Sequence, residues 1–137
     1  MRVFLDANIL YSAAKADGAI RRLLAMLLAA GHECWADLYV AEEARRNLAR
    51  TGPEALVALE SLLGRIRMTA RLASGAYPAA DVALADRDRP VLAAAIHIGC
   101  DALLTGDRTH FGALYGTTVR GVVVHSPQSL AEALLSG

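Results

Sequence analysis

The sequence predicts an α/β fold, a three-layer α/β/α sandwich around a mainly parallel, five-stranded sheet. Three observations carry that expectation. Short apolar, β-rich runs recur along the chain at 2–5, 34–36, 66–69, 102–105 and 122–124. Segments of helical periodicity separate them. Strands joined through helices need crossover connections, which leave neighbouring strands parallel and place helices on both faces. A length of 137 residues fits one domain spanning 1–137, with a core large enough to fold without staples.

The first strand, residues 2–5, stops at Asp6. From Gly18 the pattern turns helical: Ile20, Leu23, Leu24, Leu27 and Leu28 share a face, Arg21 and Arg22 lie off it, and Gly31 ends the helix. Cys34-Trp35-Ala36 is a second strand. Asp37 is placed to cap a helix reaching about Leu48, and another starts at Pro53 with Leu56, Leu59, Leu62 and Leu63 as its stripe. Ile66 to Thr69 reads as a short strand. Ser74 to Arg87 is rich in Gly, Pro and Asp and reads mainly as loop. Val91, Leu92, Ala95 and Ile96 then mark a helix ending at Gly99, followed by the strand Ala102-Leu103-Leu104-Thr105 and a turn at Gly106-Asp107. After a strand at Val122 to Val124, Ser126 caps a last helix with Pro127 in its first position and Leu130, Ala133 and Leu134 inside. There is no internal repeat, linker or low-complexity segment.

The composition, 55% apolar and 20% charged, is ordinary for a compact protein, and no run of about 18 apolar residues offers a spanning helix. Met1 to Leu5 meets Asp6 almost at once and does not read as a signal peptide, so the expected location is the cytoplasm. Cys34 and Cys100 each sit beside a strand and read as buried, reduced thiols rather than a disulfide or zinc site. The formal net charge is zero, which speaks against a protein that binds nucleic acid through bulk charge alone. It leaves room for an acidic metal site with a basic rim. Lys15 is the only lysine; the arginines suit phosphate but also fit an Arg-rich coding bias.

Chemistry concentrates where strands end. Asp6 closes Val3-Phe4-Leu5, and Asp107 follows the Leu103-Leu104-Thr105 strand. Open parallel sheets bind ligands at the carboxyl ends of their strands, so both carboxylates face one mouth. Asp88 starts the helix leading into the Asp107 strand, and a right-handed crossover brings that start near the same mouth. Glu42 and Glu43 lie early in the helix after the second strand. Carboxylates gathered this way repel one another and raise each other's pKa unless a cation neutralises them, and hard oxygen donors select Mg²⁺ or Mn²⁺. Such a centre activates water for attack on phosphorus.

Each residue also has a plainer reading. Asp88 before Arg89-Pro90 is a good helix N-cap, Asp107 a turn residue, and Glu42 and Glu43 beside Arg45 and Arg46 a solvated face. Neither glutamate lies on the Ala41–Ala44–Leu48 face, so the helical wheel does not choose between them. Asp6 is hardest to dismiss, because a carboxylate just off a hydrophobic strand is costly unless paired. Asp37, Asp81, Asp86 and Asp101 read as caps and loop charges, Asp86 with a secondary claim on the site. No Walker-type loop occurs, and His32, His97, His110 and His125 show no metal spacing; His97, between Ile96 and Ile98, reads as structural. Arg45, Arg46, Arg50 and Arg108 are candidate phosphate contacts and equally plain surface residues.

Phe4-Leu5-Asp6-Ala7-Asn8 resembles the opening of a PIN domain. So does Ala41-Glu42-Glu43-Ala44-Arg45-Arg46-Asn47-Leu48, in which Glu43 matches the family's central acid better than Glu42. The most specific match is Asp88-Arg89-Pro90-Val91-Leu92-Ala93-Ala94-Ala95, running on through Asp101 to Leu104-Thr105-Gly106-Asp107. Together these segments span most of the chain in the family's order, and only 72–87 is less family-like. The resemblance implies a nuclease with a five-stranded parallel sheet and an acidic quartet, Asp6, Glu43, Asp88 and Asp107, that binds Mg²⁺ or Mn²⁺. It also implies that Thr105 helps hold metal-bound water and that Asn8 fills a polar position near the first acid. A short PIN domain resembles a VapC-type toxin, the ribonuclease half of a toxin–antitoxin pair. The implied partners are an RNA substrate, a small antitoxin and a second copy of the chain, with no membrane.

The expected reaction is hydrolysis of RNA phosphodiester bonds. One rival is a metal-dependent phosphatase with Asp6 as nucleophile, weakened because Asn8 stands where such enzymes often carry a second Asp. The other is a non-catalytic PIN-like scaffold binding RNA or protein, for which a gathered quartet has no purpose.

Overall fold

The computed structural model of the chain describes residues 1–70 and 84–136. The chain forms a three-layer α/β/α sandwich. Its strands are β1 (Arg2–Leu5), β2 (Glu33–Asp37), β3 (Arg67–Thr69), β4 (Ala102–Leu104), β5 (Thr118–Val119) and β6 (Val122–His125). Its helices are α1 (Ala7–Lys15), α2 (Ala19–Ala29), α3 (Leu38–Thr51), α4 (Leu56–Leu63), α5 (Arg89–Ile98), α6 (Arg108–Phe111) and α7 (Pro127–Ser136). The six strands lie in the order β3-β2-β1-β4-β6-β5. All pairs are parallel except β5 with β6, with Phe4 opposite Trp35 on one side of β1 and Leu103 on the other.

The central strand explains its own sequence. Val3, Phe4 and Leu5 are wholly buried because helices cover both faces, so β1 shows a continuous apolar run instead of alternation. The chain order reverses at β1: β2 and β3 extend to one side, β4 and β6 to the other. Such a reversal opens a crevice between the ends of the two diverging strands. Here that crevice lies just past Leu5 and Leu104.

The sheet has six strands rather than five. β5 is too short for a period-2 pattern, and it joins β6 through a two-residue hairpin at Arg120-Gly121. Both turn residues have positive φ, 50° and 88°, as a tight hairpin with the sheet's twist requires. Glycine supplies the second without strain, but arginine in the first position hides the signal. Helices α1 and α6 are also absent from the sequence-based expectation. Asp6 caps α1, and Ile9, Leu10, Ala13 and Ala14 are buried on its inner face. The expected loop at 74–83, with Asp81, falls outside the described residues. Cys34 and Cys100 are free and buried, as anticipated. His97, by contrast, is exposed in the last turn of α5. No helix among the described residues is long and apolar enough to cross a membrane.

Candidate active site

The crevice at the end of β1 and β4 is a cleft of about 570 Å³. Asp6, Glu43, Asp88 and Asp107 all line it, from β1, α3, the start of α5 and the start of α6. Glu43, not Glu42, is the glutamate on its wall.

Asp6 is fixed by its surroundings. It is only 5% exposed. Its Oδ1 accepts from the Ala7 N–H at 2.7 Å, capping α1, and its Oδ2 accepts from the Thr105 hydroxyl at 2.8 Å. Asn8 Nδ2 donates to the same oxygen at 3.2 Å. Burial pushes the Asp6 carboxyl up to about 6, against those hydrogen bonds and with help from the charges of Glu43 and Asp88.

Thr105 joins the two strand ends. It is fully buried, and its hydroxyl, besides donating to Asp6, accepts from the Asp107 N–H at 3.1 Å. Its carbonyl accepts from the Tyr115 hydroxyl at 2.9 Å. Asn8 closes the floor, with its Oδ1 accepting from the Gly106 N–H at 2.7 Å. A Cβ on Gly106 would come within 3.3 Å of that same oxygen, so this turn favours glycine by close approach.

Asp88 departs from its plainer reading. It occupies the N-cap position of α5, yet its side chain makes no cap hydrogen bond. The residue is 8% exposed, and Oδ2 has no hydrogen-bond partner among the described residues. Burial raises its pKa, opposed by the charges of His110 and Arg87. A buried, unpaired carboxylate oxygen is costly, and a cation is the partner that removes the cost. Hard oxygen donors from Asp6, Glu43, Asp88 and Asp107 around one cleft suit a divalent ion of the magnesium type.

Asp107 does serve as a cap: its Oδ1 accepts from the His110 N–H at 3.1 Å, and its Oδ2 contacts His110 Nδ1. Burial pushes its carboxyl up, but the His110 side-chain and backbone bonds outweigh that and leave it below its ordinary value. His110 is therefore a site residue that the sequence reading passed over. So is Arg87, whose Nη2 lies 2.8 Å from His110 Nε2. The only sequence signal was the spacing of Asp107 and His110, three apart in a short helix.

Among the other candidates, Arg46 and Arg50 line the cleft with Arg87. Arg45 is instead turned to Glu60, with contacts of 2.8 and 2.9 Å. Arg108 is not among the cleft-lining residues. Asp37 caps α3 through the Val40 N–H at 3.1 Å, and Asp101 accepts from the Arg2 N–H at 2.8 Å. The Asp86 side chain is fully exposed and pairs with Arg89 at 3.5 Å, away from the cleft lining.

Known structures share this architecture. VapBC2 from Rickettsia felis, solved with a DNA fragment from its promoter, aligns with a TM-score of 0.67 at 16% identity, over 92% of this chain and 98% of that one. VapC20 from Mycobacterium tuberculosis, described as a Sarcin-Ricin loop cleaving toxin, aligns with a TM-score of 0.60 at 17% identity, over 81% and 94%. VapBC-1 from nontypeable Haemophilus influenzae gives 0.60 at 13% identity, over 93% and 99%. At such identities the likeness is one of fold. No curated protein matches the chain in sequence. The family model of the PIN domain, however, matches residues 2–109, which takes in β1 through the start of α6 and all four cleft carboxylates. With the strand order, the cleft and that match in agreement, the chain belongs to the PIN-domain family.

Proposed function

We propose that the chain is a metal-dependent endoribonuclease that hydrolyses RNA phosphodiester bonds, and that it is the toxin component of a type II toxin–antitoxin pair. Asp6, Glu43, Asp88 and Asp107 would hold Mg²⁺ or Mn²⁺. The observation that carries this reading is the buried Oδ2 of Asp88, without a hydrogen bond among the described residues, in a cleft it shares with three other carboxylates. Without a cation such a cluster raises its own energy, and a bound divalent ion offsets that cost.

When bound, a divalent ion there supplies Lewis acidity toward a phosphate oxygen and lowers the pKa of water. The chain's own residues supply position. The Thr105 hydroxyl donates to the Asp6 carboxylate and accepts from the Asp107 N–H, which fixes the spacing between two strand ends. Glu43, on the wall formed by α3, would serve as a metal ligand or take a proton from the attacking water. Arg46 and Arg50 offer positive charge to phosphates flanking the scissile bond. Both oxygens of Asp6 are engaged by hydrogen bonds, which favours a holding role over that of a phosphatase nucleophile.

RNA as substrate draws support from the fold shared with the Sarcin-Ricin loop cleaving toxin of Mycobacterium tuberculosis. An antitoxin partner draws support from the fold shared with VapBC complexes. The same reading has the protein acting in the cytoplasm as a homodimer. The test is incubation of the purified, antitoxin-free protein with total RNA in Mn²⁺, beside Asp107→Asn and an EDTA control. Discrete fragments from wild type alone, and only with metal, are expected. No fragments from a folded wild-type protein, or equal cleavage by Asp107→Asn, would overturn the reading.

A further inference from the structure

The residue that neither the sequence reading nor the acidic quartet accounts for is His110. One donor atom each from Asp88, Asp107 and His110 lies within 4.8 Å of the others, which is compatible with a single ion between them. Two carboxylates near a histidine would not by themselves make a site. Here Asp88 is more than nine-tenths buried, and its Oδ2, without a hydrogen-bond partner among the described residues, lies 3.9 Å from His110 Nδ1. That nitrogen also contacts Asp107 Oδ2, and Arg87 Nη2 lies 3.4 Å from it. Two carboxylate oxygens thus flank the ring nitrogen, one of them without a hydrogen bond among the described residues. Phe111, next in the chain and fully buried, anchors the short helix that presents the ring.

We infer that His110 is a nitrogen ligand to the divalent ion held by Asp88 and Asp107, and that it makes the centre select Mn²⁺ over Mg²⁺. The inference rests on the reading above that the cleft holds metal. Mg²⁺ dehydrates reluctantly and prefers oxygen donors, whereas imidazole favours first-row transition ions. An all-carboxylate site would discriminate little between them; one nitrogen donor changes that.

Arg87 sets the competing arrangement. Its Nη2 lies 2.8 Å from His110 Nε2, nearer than its 3.4 Å from Nδ1, and a guanidinium can only donate. With Nε2 accepting from Arg87, the ring proton sits on Nδ1 and points at Asp107. A metal bond at Nδ1 needs the other tautomer, with the proton on Nε2, and that proton cannot face Arg87. Metal binding therefore releases Arg87 from the ring, and Arg87 competes with the ion both by this bond and by its charge.

The experiment is calorimetric titration of Mn²⁺ and of Mg²⁺ into chelator-stripped wild type, His110→Gln and Arg87→Gln, with pulsed EPR of the bound Mn²⁺. Wild type should bind Mn²⁺ at least about tenfold more tightly than Mg²⁺ and show nitrogen coupling to the manganese. His110→Gln should lose the coupling and most of the preference, with Mg²⁺ affinity nearly unchanged. Arg87→Gln should bind Mn²⁺ more tightly than wild type. Equal weakening of both ions in His110→Gln would make His110 only an orienter of Asp107 and overturn the inference. Metal binding by wild type without nitrogen coupling would overturn it too, while leaving the metal-dependent reading intact. Binding of neither ion would overturn both. If His110→Gln fails to fold, the nitrogen coupling in wild type decides alone.

Discussion

Asp6→Asn offers the sharpest physical test, because the residue that the proposed activity needs should weaken the metal-free fold. Burial raises the Asp6 pKa from 3.8 to about 6. A folded pKa above the unfolded one means that the native state binds the proton more tightly, so stability falls as pH rises across that interval. Below about pH 3 the carboxyl is largely neutral in both states and the penalty is absent; above about pH 6 it is nearly complete, at roughly 3 kcal/mol. Asparagine carries no charge, but it cannot accept from both Ala7 N–H and the Thr105 hydroxyl, and losing one such bond costs about 1 kcal/mol. In EDTA at pH 7 the variant should therefore be more stable than wild type by about 1–2 kcal/mol, and at pH 3 less stable by about 1 kcal/mol. Urea unfolding followed by circular dichroism at both pH values measures the crossing. Added Mn²⁺ at a hundred times its dissociation constant should stabilise wild type by about 2.7 kcal/mol and reverse the order at pH 7. A stability difference that does not change with pH, or a wild type more stable than the variant at pH 7 in EDTA, would refute the idea that Asp6 is an uncompensated buried charge.

Glu43→Gln should reduce RNA cleavage by roughly 10²- to 10⁴-fold with an unchanged unfolding midpoint, since the side chain is only partly buried and the fold does not depend on it; retention of most of the rate would remove Glu43 from the reaction. Thr105→Val keeps the shape but leaves the Asp107 N–H without its acceptor, so a loss of about 1–3 kcal/mol is expected in urea, with Thr105→Ser close to wild type. Gly106→Ala should cost about 1 kcal/mol and weaken metal binding by calorimetry, because its methyl would press on Asn8 Oδ1, 3.3 Å away, and loosen the hydrogen bond that ties α1 to the β4 turn; an alanine variant with native metal affinity would show that this tie is dispensable. Phe111→Ala should cost about 3–5 kcal/mol as a core cavity and also free His110, measurable as a loss of stability in urea.

How much of this was legible depended on whether a residue's partners are near in the chain. Asp6 and Asp107 stood out because a carboxylate directly after an apolar strand has few cheap explanations, and the strand ends proved to be neighbours at the sheet's reversal point. Asp88 could be placed near that mouth by crossover handedness, but not distinguished from a helix cap; the missing cap bond appears only in three dimensions. The choice of Glu43 over Glu42 came from family resemblance, since the wheel put neither on the buried face. Helix α1 was written in Asp6, Ile9, Leu10, Ala13 and Ala14, yet a helix of 9 residues gives barely two repeats of its pattern, and the break at Asp17-Gly18 drew attention past it. The contact between Arg87 and His110 spans 23 positions and obeys no local spacing, so nothing in the sequence tied them together.

The neutral charge of the chain is the sequence feature that spoke most directly against an RNA-cutting role, and the cleft gives it a different meaning. Arg46, Arg50 and Arg87 line the same space as Asp6, Glu43, Asp88 and Asp107. Before metal enters, the acids exceed the arginines there, so the cleft repels a phosphate backbone. On the proposed reading, a divalent ion would tip the local balance to positive, and RNA would then bind where it is otherwise repelled. Over the few ångströms of such a cleft, salt screens little, whereas charge elsewhere on the surface is largely screened. Affinity for RNA should therefore follow metal occupancy rather than net charge, with the basic rim effective only once the acidic floor is filled. A global charge count has no access to that conditional attraction, because it weighs every residue alike and contains no term for the ion.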